Sequence, residues 1–283
     1  MVSFTQLLTA GLLATSTVAI PHGHVHEQTI HLKRTSPKSL LPRENTSKRG
    51  AAYNDAATVG SLSSSGTVGW AYDWNMYSNG DLPEGVEFVP MLWGSKMFGE
   101  WFVAIETLLA SASSASYIMG FNEPDMPEQA NMGAGEAAGY YRDYITKFSG
   151  QAKLVTPAVT NGVGEGLGLT WMRDFLNQCQ DCGISVLAVH WYGESSEDFL
   201  KYVDDAVDLA NEFNLESTWV TEFALNQDMN AGGASDVSVQ FLKDVIPKLD
   251  ENESVGRYAY FMCKDGFLLS DSGLSISGQA YIE

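Results

Sequence analysis

From about residue 66 onward, short and nearly unbroken apolar runs alternate with stretches in which apolar residues recur every three or four positions. The runs at 67–72, 86–93, 117–121, 153–159, 185–191, 218–223 and 257–262 are rich in β-branched and aromatic residues. Strands buried on both faces read this way, as in a parallel sheet. Between them, 100–110, 136–148, 170–178, 196–213 and 235–249 carry the spacing of amphipathic helices, with Thr170 and Ser196 as candidate N-caps. Strand and helix in strict alternation over most of a chain define an α/β protein. Seven strands, with an eighth expected near the N-terminus or at 279–282, predict a single-domain (β/α)8 TIM-type barrel over residues 50–283. A doubly wound sheet is the competing arrangement, but polar residues gather just past the C-terminal ends of several strands, where barrels build their sites.

The first 49 residues follow another pattern. An apolar stretch from Leu7 to Ile20, closed by the small residues Thr17, Val18 and Ala19, predicts a signal peptide over 1–19. Residues 20–49 hold four of the five histidines and end at Lys48-Arg49, a dibasic pair of the kind that secretory processing proteases cut, so this segment reads as a propeptide. The protein is therefore expected to be secreted, to the extracellular space or the cell wall. Taking off residues 1–49 removes six basic and two acidic residues and leaves 10 against 33. A surface that acidic repels nucleic acid and anionic lipid and suits a neutral substrate. No membrane partner is expected, and a monomer is.

Candidate chemistry sits on two strands. The run 117–121 ends in Asn122-Glu123-Pro124-Asp125, and the run 218–221 ends in Glu222-Phe223-Ala224. Two glutamates at strand ends, three strands apart, point into one cleft, which is what glycoside hydrolysis requires of its acid and its nucleophile. The fifth run delivers His190-Trp191-Tyr192, and His190 is the sole histidine after residue 49, so no metal site and no cofactor are expected. His190 is read as holding a carboxylate or a sugar hydroxyl. Asn122, Tyr72, Trp74, Trp93, Trp191, Tyr192 and Tyr260 are candidate sugar contacts, because aromatic faces stack on sugar rings. Phe261 reads as core, and Asp73, Asn75 and Asn161 as minor polar candidates. Cys179 and Cys182 form a C-x-x-C pair in a loop, most simply a short disulfide, and Cys263 is left as a buried free thiol.

These stretches, together with Gly69–Trp74, Phe88–Gly94, Thr156–Val159 and Arg257–Phe261, resemble glycoside hydrolase family 128, the alkali-sensitive-linkage-protein-like glycosyl hydrolases common in fungi. The resemblance implies a β-1,3-glucanase acting with retention on β-1,3-glucan, with an endo mode expected, Glu123 as acid/base and Glu222 as nucleophile. A cell-wall glucan transglycosylase and a non-catalytic glucan-binding protein are the rival functions. Two departures stand out: Asp73 occupies a position where Asn is common, and Met262-Cys263-Lys264 replaces a glycine-containing turn. Enzymes with this carboxylate arrangement carry them on strands four and seven, whereas the runs above give three and six. An early strand near 51–53 is therefore expected.

Overall fold

The computed structural model describes residues 47–111, 114–231, 234–271 and 273–283; the expected signal peptide and nearly all of the expected propeptide lie outside them. Eight parallel strands make one sheet: β1 (Arg49–Ala52), β2 (Val68–Tyr72), β3 (Glu87–Phe88), β4 (Tyr117–Ile118), β5 (Lys153–Val159), β6 (Ile184–Gly193), β7 (Ser217–Leu225) and β8 (Val255–Tyr260). Hydrogen bonding runs in the order β3-β2-β1-β8-β7-β6-β5-β4. The two ends are joined beyond β3 and β4 by a parallel bridge from Met91 to Met119, so the sheet curls shut as a TIM-type barrel.

The missing early strand is β1, two residues earlier than the sequence suggested. It is short and rich in small residues, which hides it from any hydrophobic pattern. With β1 counted, Glu123 follows β4 and Glu222 lies on β7. The stretch 279–282, the other place considered for a strand, is helical instead.

Helices wrap the outside: α1 (Ala56–Ser63), α2 (Phe98–Ala110), α3 (Ala134–Tyr144), α4 (Gly168–Gln178), α5 (Ser196–Glu212), α6 (Asn226–Ala231), α7 (Asp236–Glu251) and α8 (Ile276–Ile282). The five long ones match the expected stretches within a few residues. The cap of α5 is Ser195 rather than Ser196, its side chain accepting from the Asp198 N–H, and α4 has no side-chain cap at Thr170. The short helices α1, α6 and α8 span two turns or less, too little for a periodic stripe.

Strand alternation sorts the core into two layers. Trp70, Tyr72, Val89, Met91, Met119, Val155, Val186, Ala188 and Trp219, all from strands or their ends, pack inside the barrel. Ala71, Leu187, Val189, Trp191, Val220, Phe223, Tyr258 and Tyr260 face the helix layer. At the floor of the barrel Arg257 pairs with Glu87 and lies over the rings of Tyr117 and Trp219.

Lys48 and Arg49, the expected end of the propeptide, are built into this fold. Lys48 Nζ donates to the carbonyls of Leu249, Asp250 and Asn252 at the C-terminus of α7, where a cation also meets the negative end of the helix dipole. Arg49 donates to the Tyr258 hydroxyl, the Tyr281 carbonyl and the Asp250 carboxylate. The next residue, Gly50, has no room for a side chain, since a Cβ there would lie 2.2 Å from the Trp70 ring. Cys179 and Cys182 are disulfide-bonded in the turn after α4, and Cys263 is a buried free thiol beside Thr58, its pKa pushed up to about 11 chiefly by burial.

Candidate active site

The turn that carries Glu123 is shaped by close packing of β4 against β5. A Cβ on Gly120 would lie 2.6 Å from the Pro157 nitrogen, so only glycine lets the two strands approach here. Beyond it Asn122 still bridges Ala158 in parallel: Asn122 N–H donates to the Trp93 carbonyl, and Glu123 N–H donates to the Ala158 carbonyl. Glu123 itself adopts φ 41°, a left-handed conformation uncommon for a side-chain-bearing residue. Asp125 locks the turn, its carboxylate accepting from the Thr160 N–H and hydroxyl and from the Gly168 N–H.

Glu222 reaches the same cleft by a register shift. β6 and β7 pair Val189 with Val220 but His190 with Glu222, so Thr221 is an extra residue in β7. A bulge of this kind reverses the inward–outward alternation. Trp219 faces the barrel interior, and without the bulge Thr221 would follow it inward and Glu222 would face the helices. With it, Glu222 and His190 meet inside.

The two glutamates and His190 are nearly closed off from solvent. A carboxylate oxygen of each glutamate and a ring nitrogen of His190 all lie within 4.8 Å of one another. His190 Nδ1 is 2.9 Å from Glu123 Oε1 and 3.5 Å from Glu222 Oε2. Glu222 takes three more contacts: Trp74 Nε1 donates to Oε1 at 2.6 Å, the Tyr72 hydroxyl lies 3.4 Å from the same oxygen, and the Tyr192 hydroxyl donates to Oε2 at 2.5 Å. Among the described residues, His190 alone hydrogen-bonds the Glu123 carboxylate. The three groups have the spacing of a one-imidazole, two-carboxylate cation site, and each oxygen of Glu222 already accepts a hydrogen bond, from Trp74 and from Tyr192.

Burial raises the pKa of Tyr72 and Tyr192 well above the usual phenol value, and the charge of Glu222 adds to it, so both hydroxyls stay protonated as donors. Burial also opposes a charge on His190, but the charge of Glu222 and the hydrogen bond and charge of Glu123 outweigh it and hold the ring's pKa above its ordinary value. Asp73 is pushed up to about 6, mainly by burial, against hydrogen bonds from the Asn79 side chain and the Asn75 N–H.

A cleft of about 430 Å³ opens over these groups, lined among others by Trp74, Trp93, Asn122, Tyr192 and Phe261. Of the expected sugar contacts, Tyr72 sits beneath Glu222, whereas Trp191 and Tyr260 are not brought to the cleft. Trp191 faces outward and stacks on Phe241, with ring centroids 5.8 Å apart. Tyr260 also faces the helix layer and donates its hydroxyl proton to Asp228. Each lies one residue out of phase with the inward-facing set. Phe261, expected in the core, instead forms part of the cleft wall, its ring edge against Trp74 and Tyr192 at 5.8 Å from each. Asn161 braces Tyr192 from behind, its amide exchanging two hydrogen bonds with the Tyr192 backbone. Asn54, Gln129, Met229 and Met262 also line the cleft, and none was picked out as a sugar contact: Asn54 and Gln129 stand on loops, Met229 in the short α6, and Met262 at the end of an apolar run. Gln129 accepts a hydrogen bond from Asn122 Nδ2, while the side-chain oxygen Oδ1 of Asn122 is buried without a partner among the described residues.

A barrel with two facing carboxylates under an aromatic cleft defines a sugar-bond-cleaving class of protein, and the model of the glycosyl hydrolase catalytic core family matches residues 50–281. Alkali-sensitive linkage protein 1 of Schizosaccharomyces pombe is 30% identical over 257 residues, which is 83% of this chain and 44% of that protein, so the chain spans less than half of that relative. A curdlan-specific exo-β-1,3-glucanase of family 128 subgroup III from Blastomyces gilchristii, solved with glucose, is 37% identical, covers 84% of this chain and 99% of its own, and superposes with a TM-score of 0.75. A subgroup II endo-β-1,3-glucanase from Sorangium cellulosum is 26% identical, with 83% and 98% coverage and a TM-score of 0.68. The chain belongs to glycoside hydrolase family 128.

Proposed function

We propose that this protein is a retaining β-1,3-glucanase in which Glu222 is the nucleophile and Glu123 the acid/base. The observation that carries the reading is the carboxylate spacing. Oxygens of Glu123 and Glu222 lie within 4.8 Å of each other, close to the separation of about 5 Å in retaining enzymes and well short of the roughly 6.5–9.5 Å of inverting ones. The difference in their surroundings supports the division of roles. Glu222 is held by the Trp74 indole and the Tyr192 phenol, two donors that stabilise an anion poised to attack, while Glu123 keeps an oxygen free to carry a proton toward the cleft. In the first step a Glu222 oxygen bonds to the anomeric carbon, the glycosidic bond breaks, and the departing oxygen takes the proton from Glu123. In the second, Glu123 accepts a proton from water as the water oxygen displaces Glu222.

The substrate assignment to β-1,3-glucan rests on the family relatives described above, and an endo mode is the finer part of the proposal. Exo action is the second reading, favoured by the 37% identical exo-acting relative. Digestion of linear β-1,3-glucan separates them, since endo cleavage releases a ladder of oligomers early and exo cleavage a single short product throughout. A transglycosylase would instead yield products longer than the starting chains. Glu222→Gln and Glu123→Gln should each lower sugar release by three orders of magnitude or more, and undiminished release by Glu222→Gln rejects the nucleophile. The apolar stretch at the start of the chain and the acidic composition support secretion, which a fungal expression host tests by the appearance of the protein in the medium.

A further inference from the structure

The one ring nitrogen of His190 that has partners faces both glutamates. Nδ1 lies 2.9 Å from Glu123 and 3.5 Å from Glu222, and the register shift at Thr221 is what sets His190 beside Glu222. The ring is fully buried, and its other nitrogen, Nε2, has no partner among the described residues. That orphan fixes where the hydrogen sits. A hydrogen on Nε2 alone would be an unmet buried donor and would turn the bare Nδ1 lone pair toward two carboxylates. Nδ1 therefore carries a hydrogen whether the ring is neutral or charged, and it points that hydrogen at Glu123 with Glu222 Oε2 only 0.6 Å farther from the nitrogen, at 3.5 Å against 2.9 Å.

Resting on the retaining mechanism above, we propose that His190 is a positioning residue whose Nδ1–H serves the two carboxylates in turn, following the negative charge as it moves between them. The structure shows Nδ1–H on Glu123; with the charge on Glu222 before attack, a small swing turns Nδ1–H to Oε2 and leaves Glu123 free to keep its proton. Once Glu222 forms its bond to the anomeric carbon and Glu123 has given its proton to the leaving oxygen, the charge is on Glu123. A small swing of Nδ1–H then meets Glu123 as it becomes the base. When water adds and the bond to Glu222 breaks, the proton returns to Glu123, the charge to Glu222, and the hydrogen bond with it. The Nδ1 hydrogen is not transferred at any point. Glu222 keeps its Tyr192 and Trp74 donors when Nδ1–H leaves, but Glu123 has no other donor among the described residues, so loss of His190 falls on the second step.

The test separates the two steps with 2,4-dinitrophenyl β-laminaribioside, whose leaving group needs no acid. In His190→Ala the pre-steady-state release of dinitrophenol should stay within a few-fold of the parent while the steady-state rate drops by about 10–100-fold, part of the roughly 10²–10⁴-fold that a general base contributes. His190→Asn, whose side-chain N–H can occupy the place of Nδ1–H, should recover most of that loss. It also guards against a folding defect, with melting temperature measured beside activity. Loss of the burst with an unchanged second step overturns the proposal, as does equal impairment of the Ala and Asn variants or no effect in either. Labelling of the parent with a 2-deoxy-2-fluoro glycosyl fluoride tests the reading beneath it. If no label appears on Glu222 the retaining mechanism falls, whereas label on Glu222 with an unaltered His190→Ala partition rejects only the role of His190.

Discussion

Tyr192 donates its hydroxyl proton to Glu222 Oε2 at 2.5 Å, and the backbone that carries it is pinned by the side chain of Asn161. A hydrogen bond to a charged group contributes about 1.5–3 kcal/mol. Tyr192→Phe should therefore lower kcat/KM by roughly 10–100-fold with little change in melting temperature, read by steady-state kinetics on β-1,3-glucan oligosaccharides. Asn161→Ala acts on the same contact at one remove and should give a smaller loss. A Tyr192→Phe enzyme of parental activity would show that the contact does not bear on the reaction.

Asp73 makes stability depend on pH. Its folded pKa is about 6, against about 3.9 in an unfolded chain. Between those values the folded protein binds a proton that the unfolded chain does not, so this group's contribution falls as pH rises from about 4 to about 6. Discounted for the partial exposure of the carboxylate, the change is roughly 1–2 kcal/mol. Asp73→Asn removes the titration. Its melting temperature relative to the parent should climb by about 2–8 °C between pH 4 and pH 7, and parallel curves across that range would contradict the assignment.

Lys48 and Arg49 stabilise the barrel from a position expected to be cut away. Each donates three hydrogen bonds to α7, β8 or α8. At about 0.5–1.5 kcal/mol apiece, with the closing of β1 against β8 lost as well, a chain beginning at Gly50 should unfold some 10 °C below one beginning at Ser47. Equal melting temperatures would show that the pair is dispensable once folding is complete.

The Cys179–Cys182 bridge closes a very short loop on the outer layer, far from the glutamates in the chain. The entropy of so small a loop limits its contribution to about 2 kcal/mol. Reduction should lower the melting temperature by a few degrees and leave the rate of glucan hydrolysis at 25 °C unchanged.

Much of this molecule was legible in one dimension. Continuous apolar runs at 153–159, 185–191 and 218–223 predict strands covered on both faces, and the stripes of α5 and α7 predict the helices that cover them, because burial leaves a period in the sequence. Glu123 and Glu222 could be picked out as a pair, because Asn122-Glu123-Pro124 after one buried strand and Thr221-Glu222-Phe223 after another are far more specific together than a lone strand-end carboxylate. β1 was visible only through the strand count, since one arginine and three small residues leave no periodic trace. Which aromatic faces the cleft was decided in three dimensions. Strand alternation has a period of two, so one inserted residue reverses every side chain beyond it, and the bulge at Thr221 cannot be read from composition. That single register shift turns Glu222 inward beside His190, while ordinary alternation sends Trp191 and Tyr260 into the helix layer. The sequence by itself determined the barrel and the two carboxylates; only the packing of β6 against β7 decided that one imidazole nitrogen would stand within reach of both.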